Sequence, residues 1–167
     1  RINTAIANNE RILIYGDYDV DGTTSVALAY SFFYSIYKNI DYYIPDRYLE
    51  GNGISTKGID HAKQTECSLV IALDCGIKAV DKIAYANTLG VDFIICDPHI
   101  LGDEVPAAFA VLDPHQKDCN YPYKELCGCG VGFKLMTALT EKLDLPEEFL
   151  FENIDLLATA IAADIVP

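Results

Sequence analysis

The chain has 167 residues, 51% of them hydrophobic, with 25 acidic against 12 basic side chains and a formal charge of −13. That length suits one domain with a sizeable core. The charge excludes a free-standing electrostatic grip on nucleic acid, which needs Lys and Arg along the phosphate track.

In chain order, Ile12-Leu13-Ile14-Tyr15 reads as a buried strand. Gly22, Thr23 and Thr24 read as a turn and helix cap. They lead into an amphipathic helix over 24–37 with a wide apolar face. A short strand over 42–44 ends at Pro45, and a helix spans 56–64. The third strand, 69–73, ends at Asp74, and a helix over 77–88 closes near Gly90. The fourth strand, 93–96, ends at Asp97, and the fifth, 110–112, ends at Asp113-Pro114. Residues 98–123 are mostly irregular and rich in Pro, Gly and Asp, a composition suited to a loop over an active site. Beyond residue 120 the strand pattern fades, with helices expected over 130–143 and 147–163. No internal repeat is visible. No apolar run reaches the roughly 18 residues that span a bilayer. No basic-then-apolar leader opens the sequence. Opening on Arg1 and stopping at Pro167, the sequence reads as cut at both ends.

Continuous apolar strands alternating with helices predict an α/β fold. The expected form is a mostly parallel five-stranded sheet with helices on both faces and a helical C-terminal extension. Right-handed crossovers bring the strand C-terminal ends to one edge, where ligands bind in open α/β sheets. Five acids fall at such ends: Asp17, Asp19, Asp21, Asp74 and Asp97. In Asp17-Tyr18-Asp19-Val20-Asp21-Gly22 three carboxylates stand at every second position, and such charges raise one another's pKa unless a cation neutralises them. Hard oxygen ligands suit Mg²⁺, Mn²⁺ or Ca²⁺. An EF-hand loop also begins Asp-x-Asp-x-Asp-Gly, but its twelfth position here is Leu28 instead of Glu, and its flanks read strand then helix. Cys75 and Cys96 fall beside apolar runs and read as small buried hydrophobes. Cys127-Gly128-Cys129 is too tight for a zinc knuckle, so the six cysteines read as reduced thiols of a cytoplasmic protein. His61 and His115 read as ordinary surface residues.

Four segments line up in order. They are Gly16–Thr23, Ile71-Ala72-Leu73-Asp74-Cys75-Gly76, Ile94-Ile95-Cys96-Asp97-Pro98-His99, and Ile161-Ala162-Ala163-Asp164-Ile165-Val166-Pro167. With Ile44–Gly53 and Cys127–Leu135 they resemble the DHH phosphoesterase superfamily, most of all its RecJ-type single-strand-specific 5′→3′ DNA exonucleases. The resemblance runs from about residue 11 to residue 167. It implies a DHH catalytic domain over 1–167, in which about 120–167 is a helical part leading to a connector. A second, substrate-binding domain would follow beyond this chain. It also implies a site for two Mn²⁺ or Mg²⁺ ions that hydrolyses phosphodiesters of single-stranded DNA, in repair and recombination. Carried over residue by residue, Asp19, Asp21, Asp74, Asp97 and Asp164 would bind metal, with Asp74 bridging. Asp17 would support the first loop, His99 would be a ligand or meet the scissile phosphate, and Arg47 and Lys134 would contact phosphate.

Two positions depart from the family pattern. Pro98 stands where the signature Asp-His-His has its first histidine, and proline has no ligating side chain. Tyr15 stands where many relatives carry histidine. Three functions follow: an exonuclease domain, a DHH-type hydrolase of short oligonucleotides or cyclic dinucleotides, and a relative whose metal chemistry is impaired by Pro98.

Overall fold

Period-2 alternation sorts the strand side chains between two faces, and the computed structural model, which describes residues 1–167, shows both faces covered. The strands are β1 Arg11–Gly16, β2 Ile40–Tyr43, β3 Cys67–Leu73, β4 Asp92–Cys96 and β5 Ala110–Leu112. They form one 5-stranded sheet in the order β2-β1-β3-β4-β5, and every pairing is parallel. The helices are α1 Ile2–Ala7, α2 Val20–Ile36, α3 Thr56–Gln64, α4 Val80–Thr88, α5 Gly128–Leu143, α6 Glu148–Phe151 and α7 Ile154–Ala163. Ile12, Ile14, Leu69, Ile71 and Ile94 pack with Val26 and Phe33 of α2 and Val131 and Met136 of α5. Leu13, Tyr15, Val70, Ala72, Phe93 and Ile95 pack on the other face with Ile59 of α3 and Ile83 of α4. The α/β sheet expected from the sequence is present, and helices α5, α6 and α7 follow the last strand.

In this strand order the chain reverses direction across the sheet between β1 and β3. The helix after β1 therefore lies on one face and the helix after β3 on the other. A crevice opens between them at the strand C-terminal ends, where such folds bind ligands. The acidic segment after β1 and Asp74 after β3 both sit at that crevice.

Local details differ from the sequence reading where side chains decide the boundary. Helix α2 begins at Val20 because Asp19 is its N-cap, accepting from the Gly22 N–H at 2.9 Å. Thr23 and Thr24 lie inside the helix, donating back to the Asp19 and Val20 carbonyls at 2.6 Å each. Strand β2 starts at Ile40, before the aromatic pair. The expected helix over 147–163 is two, α6 and α7, broken where Asn153 turns out of helical geometry and donates to Ser31 Oγ at 2.8 Å. Helix α1 is too short for its apolar pattern to announce it. Arg1 ties it to the sheet through Glu10 and Asp92, at 2.6 Å each.

Candidate metal centre

Each acid of the first loop has a distinct local job. Asp17, 9% exposed, accepts from Tyr18 N at 2.7 Å and from Gly53 N at 3.0 Å, so it ties the β1 tip to the loop after β2. Burial pushes its carboxyl up, against those two hydrogen bonds. Tyr15 fastens the same loop, donating to the Gly53 carbonyl at 3.0 Å and accepting from Ser55 N at 3.1 Å. Asp19 is exposed at the crevice. Asp21 is 1% exposed and accepts from Gly128 N at 2.6 Å and Cys129 N at 2.9 Å. Residue Cys127 gives α5 no side-chain cap, so Asp21 caps that helix from across the fold, where the helix dipole favours negative charge.

Asp74 follows β3 in a left-handed conformation, φ 60°. It is 5% exposed, and its carboxyl is pushed far above the usual range. Burial is the largest cause, followed by Asp21, Asp19, Asp97 and Asp164, and all of these disfavour the charged form. Asp164, at the C-cap of α7, is pushed up as well, by burial, by Asp21 and by a hydrogen bond with Asp21. Four elements thus bring carboxylates within strong electrical reach of one another. A divalent cation is the group that relieves such a cluster. As the side chains stand, no three His, Cys, Asp or Glu groups are close enough to enclose one ion. The donor chemistry nevertheless fits a hard cation, because the groups facing Asp74 are oxygen ligands.

Asp97 differs from its neighbours. It accepts from Ile77 N at 2.8 Å, from His99 N at 3.0 Å and meets His99 Nδ1 at 2.7 Å. Burial would raise its carboxyl, but the His99 and backbone hydrogen bonds hold it below the usual range. Its Oδ1 orients His99, whose Nε2 makes no hydrogen bond, and its Oδ2 holds the Ile77 N–H. The same contact raises the His99 pKa.

Two cavities meet at Asp74. One, of about 320 Å³, is lined by Asp17, Gly53, Asp74, Lys78, Lys82 and Asp97, and by His99. The other, of about 210 Å³, is lined by Asp74, Pro98, His99, His115, Lys124 and Asp164. Asp74 and His99 are common to both, and Pro98 faces the site. Lys78 and Lys82 went unnoticed in the sequence. They sit just after the β3 tip, and the rule that ligands gather at strand C-terminal ends could have found them.

The two expected phosphate contacts fare differently. Arg47 is exposed on the loop after β2, with its guanidinium 5.1 Å from the Tyr18 ring. It is not paired with Glu50, which Lys57 approaches at 3.6 Å instead. Lys134 does not reach the Asp74 cavities. It lies well along α5 from Gly128 and lines a separate cavity with Leu112, Tyr121 and Val131, its Nζ 5.7 Å from the Tyr121 ring.

A family model described as the DHH family, N-terminal domain, matches residues 11–161. The single-stranded-DNA-specific exonuclease RecJ of Bacillus subtilis (strain 168) is 44% identical over 167 residues, covering 100% of this chain and 20% of that protein. The exonuclease of the same name from Escherichia coli (strain K12) is 37% identical over 173 residues, covering 98% of this chain and 30% of that protein. Among solved structures, an exonuclease RecJ bound to manganese superposes with TM-score 0.87 at 30% identity, over 99% of this chain and 42% of that one. RecJ from Thermus thermophilus in complex with Mn²⁺ gives 0.80 at 27% identity, over 99% of this chain and 23% of that one. The chain spans less than a third of the length of these two curated relatives.

Proposed function

Because the chain belongs to the DHH family, we propose that it is the metal-binding catalytic domain of a 5′→3′ exonuclease acting on single-stranded DNA, with Mn²⁺ or Mg²⁺ as cofactor. The observation that carries this reading is Asp74, a buried carboxylate pressed by four others at the mouth of the sheet. Asp19, Asp21, Asp74, Asp97 and Asp164 would hold the ions. Ions held there would activate an attacking water and offset charge on the leaving oxygen. Asp17 keeps the first loop against Gly53, and Asp97 aims His99 at the phosphate. Lys78 and Lys82 would give the phosphate chain a local positive edge on an otherwise acidic domain. Arg47, beside Tyr18, would meet the strand farther out. The grip on a long strand would belong to a further substrate-binding domain, and the setting would be cytoplasmic. No helix is long and apolar enough to cross a membrane.

The deciding assay offers 5′-labelled single-stranded DNA, the matching duplex and a dinucleotide, each with Mn²⁺ or Mg²⁺. Stepwise loss of the single strand from its 5′ end is the expected result. Turnover of the dinucleotide alone would replace it with the small-substrate reading. Pro98 favours a second reading, that of a metal-impaired relative. Calorimetry showing no Mn²⁺ binding in the micromolar range would establish that one.

Pro98→His tests the same point in the other direction. Pro98 lines the cavity with Asp74 and Asp164, so a histidine there adds a donor to the cluster. Mn²⁺ affinity should rise about tenfold or more, the scale on which ligand-shell changes act. An unchanged dissociation constant would mean that the added imidazole does not reach the ion.

A further inference from the structure

The segment Asp97-Pro98-His99 has a counterpart sixteen residues on in the sequence, Asp113-Pro114-His115. Each follows a strand of the sheet, β4 and β5, which are paired in parallel. In each the aspartate accepts from the histidine N–H two residues later, at 3.0 Å in the first and 2.7 Å in the second. In each the histidine Nδ1 faces that carboxylate, at 2.7 and 3.4 Å. From the sequence alone His115 reads as an ordinary surface residue. Its side chain is in fact only 29% exposed, beside an Asp113 side chain at 0%.

The second unit carries unused polar capacity. Asp113 Oδ2 and His115 Nδ1 are both buried without a hydrogen-bond partner, and a buried carboxylate with one idle oxygen costs stability unless it has another use. Nothing in the sheet or helix packing uses this pair. With Nδ1 turned to Asp113, the open edge of the ring carries Nε2. His115 lines the cavity that also holds Asp74, His99 and Asp164. Lys124 lines it too and pins the loop below, donating to the Pro114 and Cys119 carbonyls at 2.7 and 2.8 Å.

We infer that His115, held by Asp113, is a second phosphate-contacting imidazole of this centre, facing His99 across the Asp74 cavity and receiving a terminal phosphate of the nucleotide through Nε2–H. This rests on the function proposed above and adds a residue to it. Asp113 is a positioning residue, acting through His115. A carboxylate facing Nδ1 takes the Nδ1–H, and the far nitrogen then donates in the imidazolium form, which the charge of an entering phosphate itself favours.

The chain has 3 histidines, so their imidazole C–H signals can be assigned by single substitution and followed at fixed pH. The probe is deoxyadenosine 5′-monophosphate with Mg²⁺. His115 and His99 should shift and saturate together, while His61, which packs on Tyr43 with ring centres 5.0 Å apart, stays still. Asp113→Asn keeps the acceptor for the His115 N–H but removes the charge. It should weaken the His115 response while sparing that of His99. His115→Gln should raise the half-saturating nucleotide concentration about tenfold without lowering the melting temperature. A shift of His99 alone would overturn the assignment of His115 and leave the nuclease reading standing. If neither His99 nor His115 moves, no phosphate enters the cavity, and both fall together.

Discussion

Asp74→Asn should cut nuclease turnover by about 10³-fold or more, the scale set by losing a main electrostatic group of an active site, and should make the metal-free protein more stable. Asparagine keeps the size of the side chain and tolerates the left-handed backbone at φ 60°. It removes the charge that burial and Asp21, Asp19, Asp97 and Asp164 all oppose. A raised carboxyl pKa means that the folded chain keeps a proton that the unfolded chain has released. Stability is then present below the unfolded value and is lost as pH rises toward the folded one, by at most about 1.4 kcal/mol per pH unit for one proton. Thermal unfolding in chelator should therefore show the wild type losing stability from weakly acidic to alkaline pH. The advantage of Asp74→Asn should widen over the same range. Mn²⁺ should raise the wild-type melting temperature, and more at pH 8 than at pH 5.5, because bound ligand stabilises the native state by mass action. Asp19→Ala should blunt that rise. Full turnover by Asp74→Asn would remove Asp74 from the chemistry, and a flat pH profile would remove it from the charge cluster.

Gly128→Ala should destabilise the protein by about 1–3 kcal/mol, as overpacking does, and should lower turnover about a hundredfold, the cost of displacing reacting groups by an ångström. A Cβ on Gly128 would overlap Asp74 Cβ and stand 2.6 Å from its Cα. Neither is the end of a flexible chain, so the helix start or the β3 tip must move. Either movement pulls the Gly128 N–H from Asp21, which it now meets at 2.6 Å. Gly130 is the internal control, because its added Cβ meets nothing closer than 3.4 Å. There alanine should be neutral or stabilising by up to about 1 kcal/mol, the propensity gained over glycine in a helix. Urea unfolding of both variants beside their rates on single-stranded DNA checks the pair. Equal behaviour of the two would mean that the contact between α5 and Asp74 does not hold the site together.

The strands, their alternation and the acidic tips could be read from single positions. Ile12 to Tyr15, Leu69 to Leu73 and Phe93 to Cys96 are apolar at every step, and only a strand covered on both faces buries such a run. The roles of the acids could not be read the same way. Asp17, Asp21 and Asp97 look alike as letters, yet one holds a loop, one caps a distant helix and one aims a histidine. The first two roles depend on Gly53 and on Gly128 and Cys129, partners 36 to 108 residues away, while Asp97 aims its histidine locally and ties β4 to Ile77, 20 residues back. Lys134 shows the reverse case. Its motif pointed to phosphate, while its turn of α5 carries it to another cavity.

The sequence by itself determined the α/β class, the edge of the sheet where chemistry gathers and the family signature with its proline, because hydrophobic period and short motifs are local properties. Only the tertiary structure decided which backbone N–H groups each carboxylate also serves. It also decided that Asp113 and His115 share a cavity with Asp74. Those outcomes depend on crossovers that bring distant turns within hydrogen-bond reach, and no local pattern encodes that distance.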